Sequence, residues 1–538
     1  MKVHAALAAT LTDHGVTTMF GLVGDGNVFF GDSFTYEEGG RYIAAAHEAG
    51  SILMAAGYAV ASQSVGVATV TQGPGLANTL GTLYSAVRER APIVLIVGDT
   101  SPVHRGSAQQ ADQSRMVAAT GAIFEEVLSA NTAPTDLARA LRTAWQRRCP
   151  VVFNVPADIN FAEIDYQRTQ HSVFAAPQAT APEDAAMDTA VGLMASANRP
   201  LVLAGMGAVW SHAKEPLSRL ADALGAPLAT TLPAKGFFAS DPRCIGVFGS
   251  LSTEPSVEAI QDADCIIAVG ASLNEYTAGD RGYPYFKDKR IIQVDVDPGA
   301  FGRWYQVDAA VVADAVGFAE KALDWLKEIE HSPSGFQNTT AARMARPVAW
   351  SPTESDDFVD VNLAMDVLNE ALPTGRAIVS DGGRFMGAPV KRLDVFAAER
   401  WSFPARGFGA IGNGLATAVG VATARPEAPT LAVLGDGGFM LGGITELNTV
   451  VRAGLDVVTV VCNDGSYGAE WEKLQLRNYD VRMSIHAWPD FAPVADALGA
   501  TGFTVRNATD LDQMKKVIAD RDRPVLIDLK IDPRAPRP

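Results

Sequence analysis

The chain has 538 residues, 48% of them hydrophobic and 20% charged, a balance that fits a globular protein and excludes a disordered or fibrous one. So long a chain exceeds a single core and points to roughly three or four domains. With 44 Lys and Arg against 61 Asp and Glu, the net charge is −17, which argues against nucleic acid or an anionic membrane as the main partner. It leaves room for a phosphorylated ligand held by backbone amides and a metal.

In chain order, Met1-Lys2-Val3-His4 leads straight into a helix-period pattern with no signal segment, and no apolar run reaches a membrane span. A cytoplasmic enzyme is the expectation. A first α/β block, 1–165, carries short Val/Ile/Leu-rich strands at 18–22, 66–71, 93–98 and 151–155. A linker rich in Gln, Ala, Thr and Pro follows at 166–183, then a second block, 186–330, with strands at 201–204, 265–269 and 291–296. A second linker of Ser, Thr, Pro and Ala occupies 331–356, and the third block, 357–538, has strands at 377–380, 430–434, 457–462 and 525–529. Continuous apolar strands alternating with helices predict an α/β fold of three doubly wound parallel-sheet domains. The scattered cysteines include Cys265 and Cys462 in apolar strands, read as reduced core thiols.

The third block holds the sharpest motif. The strand Leu431-Ala432-Val433-Leu434 ends at Gly435-Asp436-Gly437-Gly438, a helix follows, and the strand Val457–Val461 closes on Asn463-Asp464-Gly465. Asp436 and Asn463, 27 positions apart, thus fall at the carboxyl ends of two parallel strands, where open α/β sheets bind ligands. The glycines let backbone amides approach phosphate, and a carboxylate with an amide oxygen suits Mg²⁺, which takes few protein ligands and completes its octahedron with phosphate and water. A lone Gly-Asp-Gly is an ordinary turn; followed by an apolar strand ending in Asn at this spacing, it resembles the signature of thiamine-diphosphate enzymes. That resemblance implies that Asp436, the Asn463 side chain and the Gly465 carbonyl hold the metal.

In the first block, the strand-like Tyr42–Ala46 enters a helix at His47-Glu48-Ala49-Gly50. Alone, Glu48 reads as an acid favoured at a helix N-terminus. Beside the metal motif it takes the place of the buried carboxyl group that thiamine chemistry needs at the aminopyrimidine ring. The resemblance then widens. His47-Glu48-Ala49-Gly50, Thr71-Gln72-Gly73-Pro74-Gly75, the strand ending Val97-Gly98-Asp99, Gly205-Met206-Gly207, Lys235-Gly236, Val294-Asp295-Val296-Asp297-Pro298 and Pro489-Asp490-Phe491 look like the acetolactate synthase and 2-oxo-acid decarboxylase superfamily, over nearly the whole chain. It implies pyrimidine-binding, central and diphosphate-binding domains in that order, with thiamine diphosphate and Mg²⁺ as cofactors. It also implies a homodimer at least, and a homotetramer as the larger form, in which Glu48 of one subunit serves the metal site of another. Gly409-Ala410-Ile411-Gly412 resembles the loop whose apolar residue, here Ile411, bends the cofactor, and Gly435, Gly437, Gly438 and Tyr467 are implied around it.

The chemistry that follows is a mosaic. Gly24-Asp25-Gly26 resembles a decarboxylase loop, and Val103-His104-Arg105-Gly106 resembles that family's two-histidine motif with Arg105 at the second position. Asp25 and His104 read equally as a proton relay or as a turn Asp and a solvated His. Ala108-Gln109-Gln110-Ala111-Asp112 resembles an acetolactate synthase segment, which makes Gln109 the glutamine facing the cofactor. The middle block lacks the Arg-Phe-Asp-type motif of flavin-bound members, so its FAD site is expected to be empty or altered. No GxGxxG opens a helix with an acid where a nicotinamide enzyme needs it. The expected activity is an acetolactate-synthase-like lyase or carboligase acting on a 2-oxo acid or 2-hydroxy ketone. The alternatives are a 2-oxo-acid decarboxylase and a non-catalytic protein of the same fold.

Overall fold

The structure, a computed structural model, describes the whole chain except residues 102, 104–105, 170–173, 175–179, 281–282, 347–350, 354 and 535–538. Three six-stranded parallel sheets carry it. The first comprises β1 (Thr18–Gly21), β2 (Arg41–Ala44), β3 (Gly66–Val70), β4 (Ile93–Asp99), β5 (Ile123–Glu126) and β6 (Val151–Pro156), in the order β2-β1-β3-β4-β6-β5. The second comprises β7 (Pro200–Ala204), β8 (Leu228–Thr230), β9 (Cys244–Val247), β10 (Cys265–Val269), β11 (Arg290–Asp295) and β12 (Ala309–Val312), in the order β12-β11-β10-β7-β8-β9. The third comprises β13 (Ala377–Ser380), β14 (Trp401–Ser402), β15 (Thr430–Gly435), β16 (Val457–Asn463), β17 (Thr501–Val505) and β18 (Val525–Lys530), in the order β14-β13-β15-β16-β18-β17. The expected α/β class holds because β3, β7, β10 and β16 are buried along their whole length, as strands covered on both faces must be.

The chain forms two compact units: Met1–Ala176 with Pro352–Pro389 and Ser402–Pro538, and Pro177–Ser351 with Val390–Trp401. The first unit contains both outer sheets. Their seam is the pair α1 (Glu48–Ser62) and α2 (Gly414–Ala424). Both helices are apolar and buried nearly all round, the mark of a helix inside a core. Glycine lets their backbones touch: a Cβ on Gly420 would lie 1.9 Å from the Met54 carbonyl oxygen, and one on Gly57 2.3 Å from that of Thr417. Ile52, Leu95 and Val97 of the first sheet and its helix thereby share one core with Leu415, Val419 and Leu434.

The second linker contains a helix, Phe336–Met344, because Phe336 buries its ring among Leu201, Ile245 and Ile266 of the central unit. The cysteines are free, with Cys265 and Cys462 buried as expected. Among the described residues no helix is long and apolar enough to cross a membrane.

Candidate functional site

β15 and β16 run side by side in register, Gly435 against Cys462, so the next residues, Asp436 and Asn463, emerge together at the carboxyl edge. Asp436 is 3% exposed and starts a short helical turn that continues as a π-helix, Phe439–Gly443, into α3 (Ile444–Arg452). Its carboxylate accepts from the Gly437 amide at 2.8 Å and the Ser466 amide at 3.2 Å. Burial, reinforced by the neighbouring Asp464 carboxylate, pushes Asp436 up to about 7. Asp464 is itself tied to Arg384 at 2.8 Å in a pair shielded from solvent.

The Asn463 amide is held in one orientation. Its Nδ2 donates to Asp528 at 2.9 Å, which turns Oδ1 toward the loop, where the Gly465 amide donates to it at 3.2 Å. Asp528 is fully buried in β18 and also accepts from the Phe491 amide and the Lys530 ammonium, each at 2.9 Å. Gly465 adopts φ +66°, a left-handed turn, and its carbonyl accepts from the His486 amide at 2.8 Å, leaving its second lone pair. The Tyr467 ring lies over Gly437, where a Cβ would come within 2.4 Å of it, and packs edge-on against His486.

A second cradle faces these strands. Asp381, directly after β13 and fully buried, accepts from the amides of Gly382 and Gly412 at 2.8 Å and Gly414 at 3.2 Å. It thereby fixes the loop carrying exposed Gly409 and half-buried Ile411, and burial raises its carboxyl to about 6. Within that loop Asn413 is 6% exposed, and its Nδ2 has no hydrogen-bond partner among the described residues.

These features fit a diphosphate and its metal. Among the described residues no three His, Cys, Asp or Glu side chains group as a metal cage. One carboxylate, one amide and one backbone carbonyl could supply a hard oxygen set, of the kind that phosphate and water complete. Asn413 offers a buried donor in the loop that Asp381 fixes.

Glu48 is the first residue of α1, placed there by β2. Its carboxylate accepts from Asn78 at 3.0 Å and is only half-buried within one chain. The small residues beside Glu48 leave room for a different acid. Glu446 of α3, 2% exposed, accepts from the Ala46 amide at 3.2 Å and Thr449 at 2.7 Å, and a Cβ on Gly50 would lie 2.3 Å from it. So the helix that follows the Asp436 loop caps the segment that delivers Glu48, and burial raises the Glu446 carboxyl above the usual range.

The remaining sequence candidates lie at the carboxyl edge of the first sheet. Asp25 is exposed in the turn after β1, and Gln109 is half-buried with its Oε1 2.6 Å from Gln72. His104 lies outside the described residues, so the Asp25–His104 pairing stays an expectation. Sequence reasoning missed Asp381, Asp528 and Glu446. The first two carried a signal, an acid at the end of or within an otherwise apolar strand, which a core tolerates only when it is satisfied.

Another acid, half-buried, acts on the segment leading to Ile411. Glu89 accepts from the Gly407 amide and Ser85, faces Arg406, and is raised by burial from 4.5 to about 7. The unfolded chain releases this proton near 4.5 and the folded chain near 7. The linked stability is therefore complete below the lower value and lost as pH rises through the upper one. Glu89→Gln should remove that slope, gaining on the parent across this window by at most about 3 kcal/mol in denaturant titrations. A difference that stays constant with pH would mean the carboxyl titrates as an exposed one.

Comparison with known proteins agrees with this geometry. Residues 1–118 match the thiamine pyrophosphate enzyme N-terminal binding domain, 187–322 the central domain and 383–529 the C-terminal binding domain. The chain belongs to the thiamine pyrophosphate enzymes, in their acetolactate-synthase-like superfamily. It is 27% identical to an acetolactate synthase of Mycobacterium leprae (strain TN), over 96% of this chain and 85% of that protein. It is likewise 27% identical to a sulfoacetaldehyde acetyltransferase of Rhodobacter capsulatus, over 97% and 92%. With the mitochondrial acetolactate synthase catalytic subunit of Saccharomyces cerevisiae the identity is 26%, over 98% and 80%.

Proposed function

We propose that the chain is a thiamine-diphosphate- and Mg²⁺-dependent lyase or carboligase that breaks or forms the carbon–carbon bond beside the carbonyl of a 2-oxo acid or 2-hydroxy ketone. The observation that carries this is the pairing of Asp436 with an Asn463 amide locked by Asp528, two hard oxygens side by side on one sheet edge. Relatives named as acetolactate synthases and as a sulfoacetaldehyde acetyltransferase support the same class.

In this reading Asp436, Asn463 Oδ1 and the Gly465 carbonyl hold Mg²⁺, and the Gly435, Gly437 and Gly438 backbone with Asn413 receives the diphosphate. Ile411, Gly409 and Tyr467 shape the cofactor, and Gln109 faces it. When bound, the cofactor supplies a nucleophilic carbon for the substrate carbonyl. Glu48 holds and returns a proton at the aminopyrimidine ring. The exposed Ala46 and His47 beside a half-buried Glu48 favour a face that a second copy covers, completing the site in a homodimer.

The test is to incubate the purified protein, cofactor and Mg²⁺ with a panel of 2-oxo acids and 2-hydroxy ketones, identifying released CO₂ and all carbonyl products. Coupled products support the carboligase reading, and aldehyde with CO₂ alone supports the decarboxylase one. No change at any carbon–carbon bond overturns both. Asp528→Asn should weaken Mg²⁺-dependent cofactor binding about 10–100-fold, the usual cost of losing a partner that orients a ligand. Calorimetry at a series of Mg²⁺ concentrations measures it.

A further inference from the structure

We propose that Gln72 is a positioning residue that fixes the polarity of the Gln109 amide, so that Gln109 meets whatever enters the site as a donor and never as an acceptor. The inference rests on the reading above for the place of Gln109 at the site and for the identity of the incoming molecule.

Thr71, Gln72 and Gln109 form a chain of hydrogen bonds that starts from the Gly26 backbone N–H. The backbone N–H of Gly26 donates to Thr71 Oγ1 at 3.1 Å, and a backbone amide can do nothing but donate. Thr71 then turns its own hydrogen to Gln72 Oε1, at 2.9 Å. With its oxygen committed, Gln72 presents Nε2, which donates to Gln109 Oε1 at 2.6 Å. Thr71 has no other acceptor for its hydrogen among the described residues, so turning Gln72 alone strands that hydrogen and sets two acceptors face to face at Gln109, and turning Gln109 alone sets two donors face to face. Gln72 is 8% exposed, and a Cβ on Gly26 would lie 1.8 Å from its Oε1, so the Asp25 loop is seated on the amide and holds it in place.

The far side is built the same way. The Gly73 amide donates to Gln113 Oε1 at 2.8 Å, and Gln113 Nε2 donates to Asn154 Oδ1 at 2.6 Å. Asn154 Nδ2 donates in turn to Asp99 at 2.7 Å. Two directional networks therefore grip the 71–73 turn, and Gln109 is the member left facing outward. It is half-buried, and among the described residues no protein acceptor takes its Nε2 hydrogens. Those hydrogens suit a carboxylate or a carbonyl oxygen that gains charge as it reacts. A cationic or hydroxyl-donating group would find no acceptor there.

Gln72→Leu removes both bonds without adding charge, and so leaves the Gln109 amide free to turn. The expected result is a rise of about fivefold or more in KM for the accepted 2-oxo acid or 2-hydroxy ketone, with kcat within about twofold and cofactor affinity unchanged. In a Gln109→Leu background, the same change at position 72 should add nothing. A purely structural role for Gln72 predicts additive losses or loss of cofactor binding, and either outcome overturns the proposal, as does an unchanged KM. Neutron diffraction from deuterium-exchanged crystals of the holoenzyme reads the orientation directly, whether or not any tested substrate is turned over. Gln109 Oε1 facing Gln72 supports the proposal, and the reverse orientation refutes it. Absence of turnover with the whole panel is a failure of the functional reading alone.

Discussion

Replacing Asp436 by alanine should leave the fold intact and abolish retention of thiamine diphosphate. The side chain sits at the end of β15 with its backbone already in a helical turn, so removing the carboxylate relieves a buried charge and breaks no element. What is lost is the anionic half of the proposed metal site. A diphosphate carries several negative charges, and the chain around it has a net charge of −17. Without a fully coordinated cation those charges repel. Loss of an outer partner of a metal ligand costs about 10–100-fold, and loss of the ligand should cost at least the upper end of that range. Calorimetric titration of the variant with cofactor and Mg²⁺ decides it, beside a circular dichroism spectrum matching the parent. Parent-like affinity would remove Asp436 from the metal site.

Glu48→Gln should show the opposite pattern, with cofactor and metal retained and turnover nearly gone. Glutamine keeps the Asn78 contact and can still hydrogen-bond the aminopyrimidine ring, yet it cannot exchange a proton with it. A positioned acid–base group contributes about 10²–10⁴-fold, and the loss should fall in that range or beyond. The direct readout is exchange of the cofactor's C2 proton into deuterated water, followed by quenched proton NMR. Exchange at the parent rate would exclude Glu48 from activation. The two variants together separate holding the cofactor from activating it.

How much of this was legible in the sequence depended on how local the cause was. β3, β4, β7, β10 and β16 were readable because burial on both faces writes an unbroken apolar run. β5 and β9 were not, since each pairs at an edge of its sheet with residues half-exposed, and β14 is two residues long. The helix Phe336–Met344 was hidden in linker composition because a single distant packing site for Phe336 decides it. At the site, Asp436 and Asn463 were legible through strand ends and spacing. Asp528 and Glu446 act on residues 65 and 400 positions away, and no local pattern encodes such a pairing. The small residues around Glu48 were visible, but sequence shows that room is needed without showing which side chain fills it.

The glycine seam between α1 and α2 bears on how the protein is made. The two helices are separated by some 350 residues of chain, including the whole second sheet. At about 5–20 residues per second, α1 leaves the ribosome roughly 20–70 s before its partner exists. Through that interval a helix buried in the finished molecule from Gly50 to Gly57 stands open to solvent. The nascent first sheet is thus a natural client for chaperones that shield apolar surface. Its release is timed by the synthesis of Gly414–Ala424, so a pause or truncation upstream of that helix should leave the N-terminal third aggregation-prone although its own strands are complete.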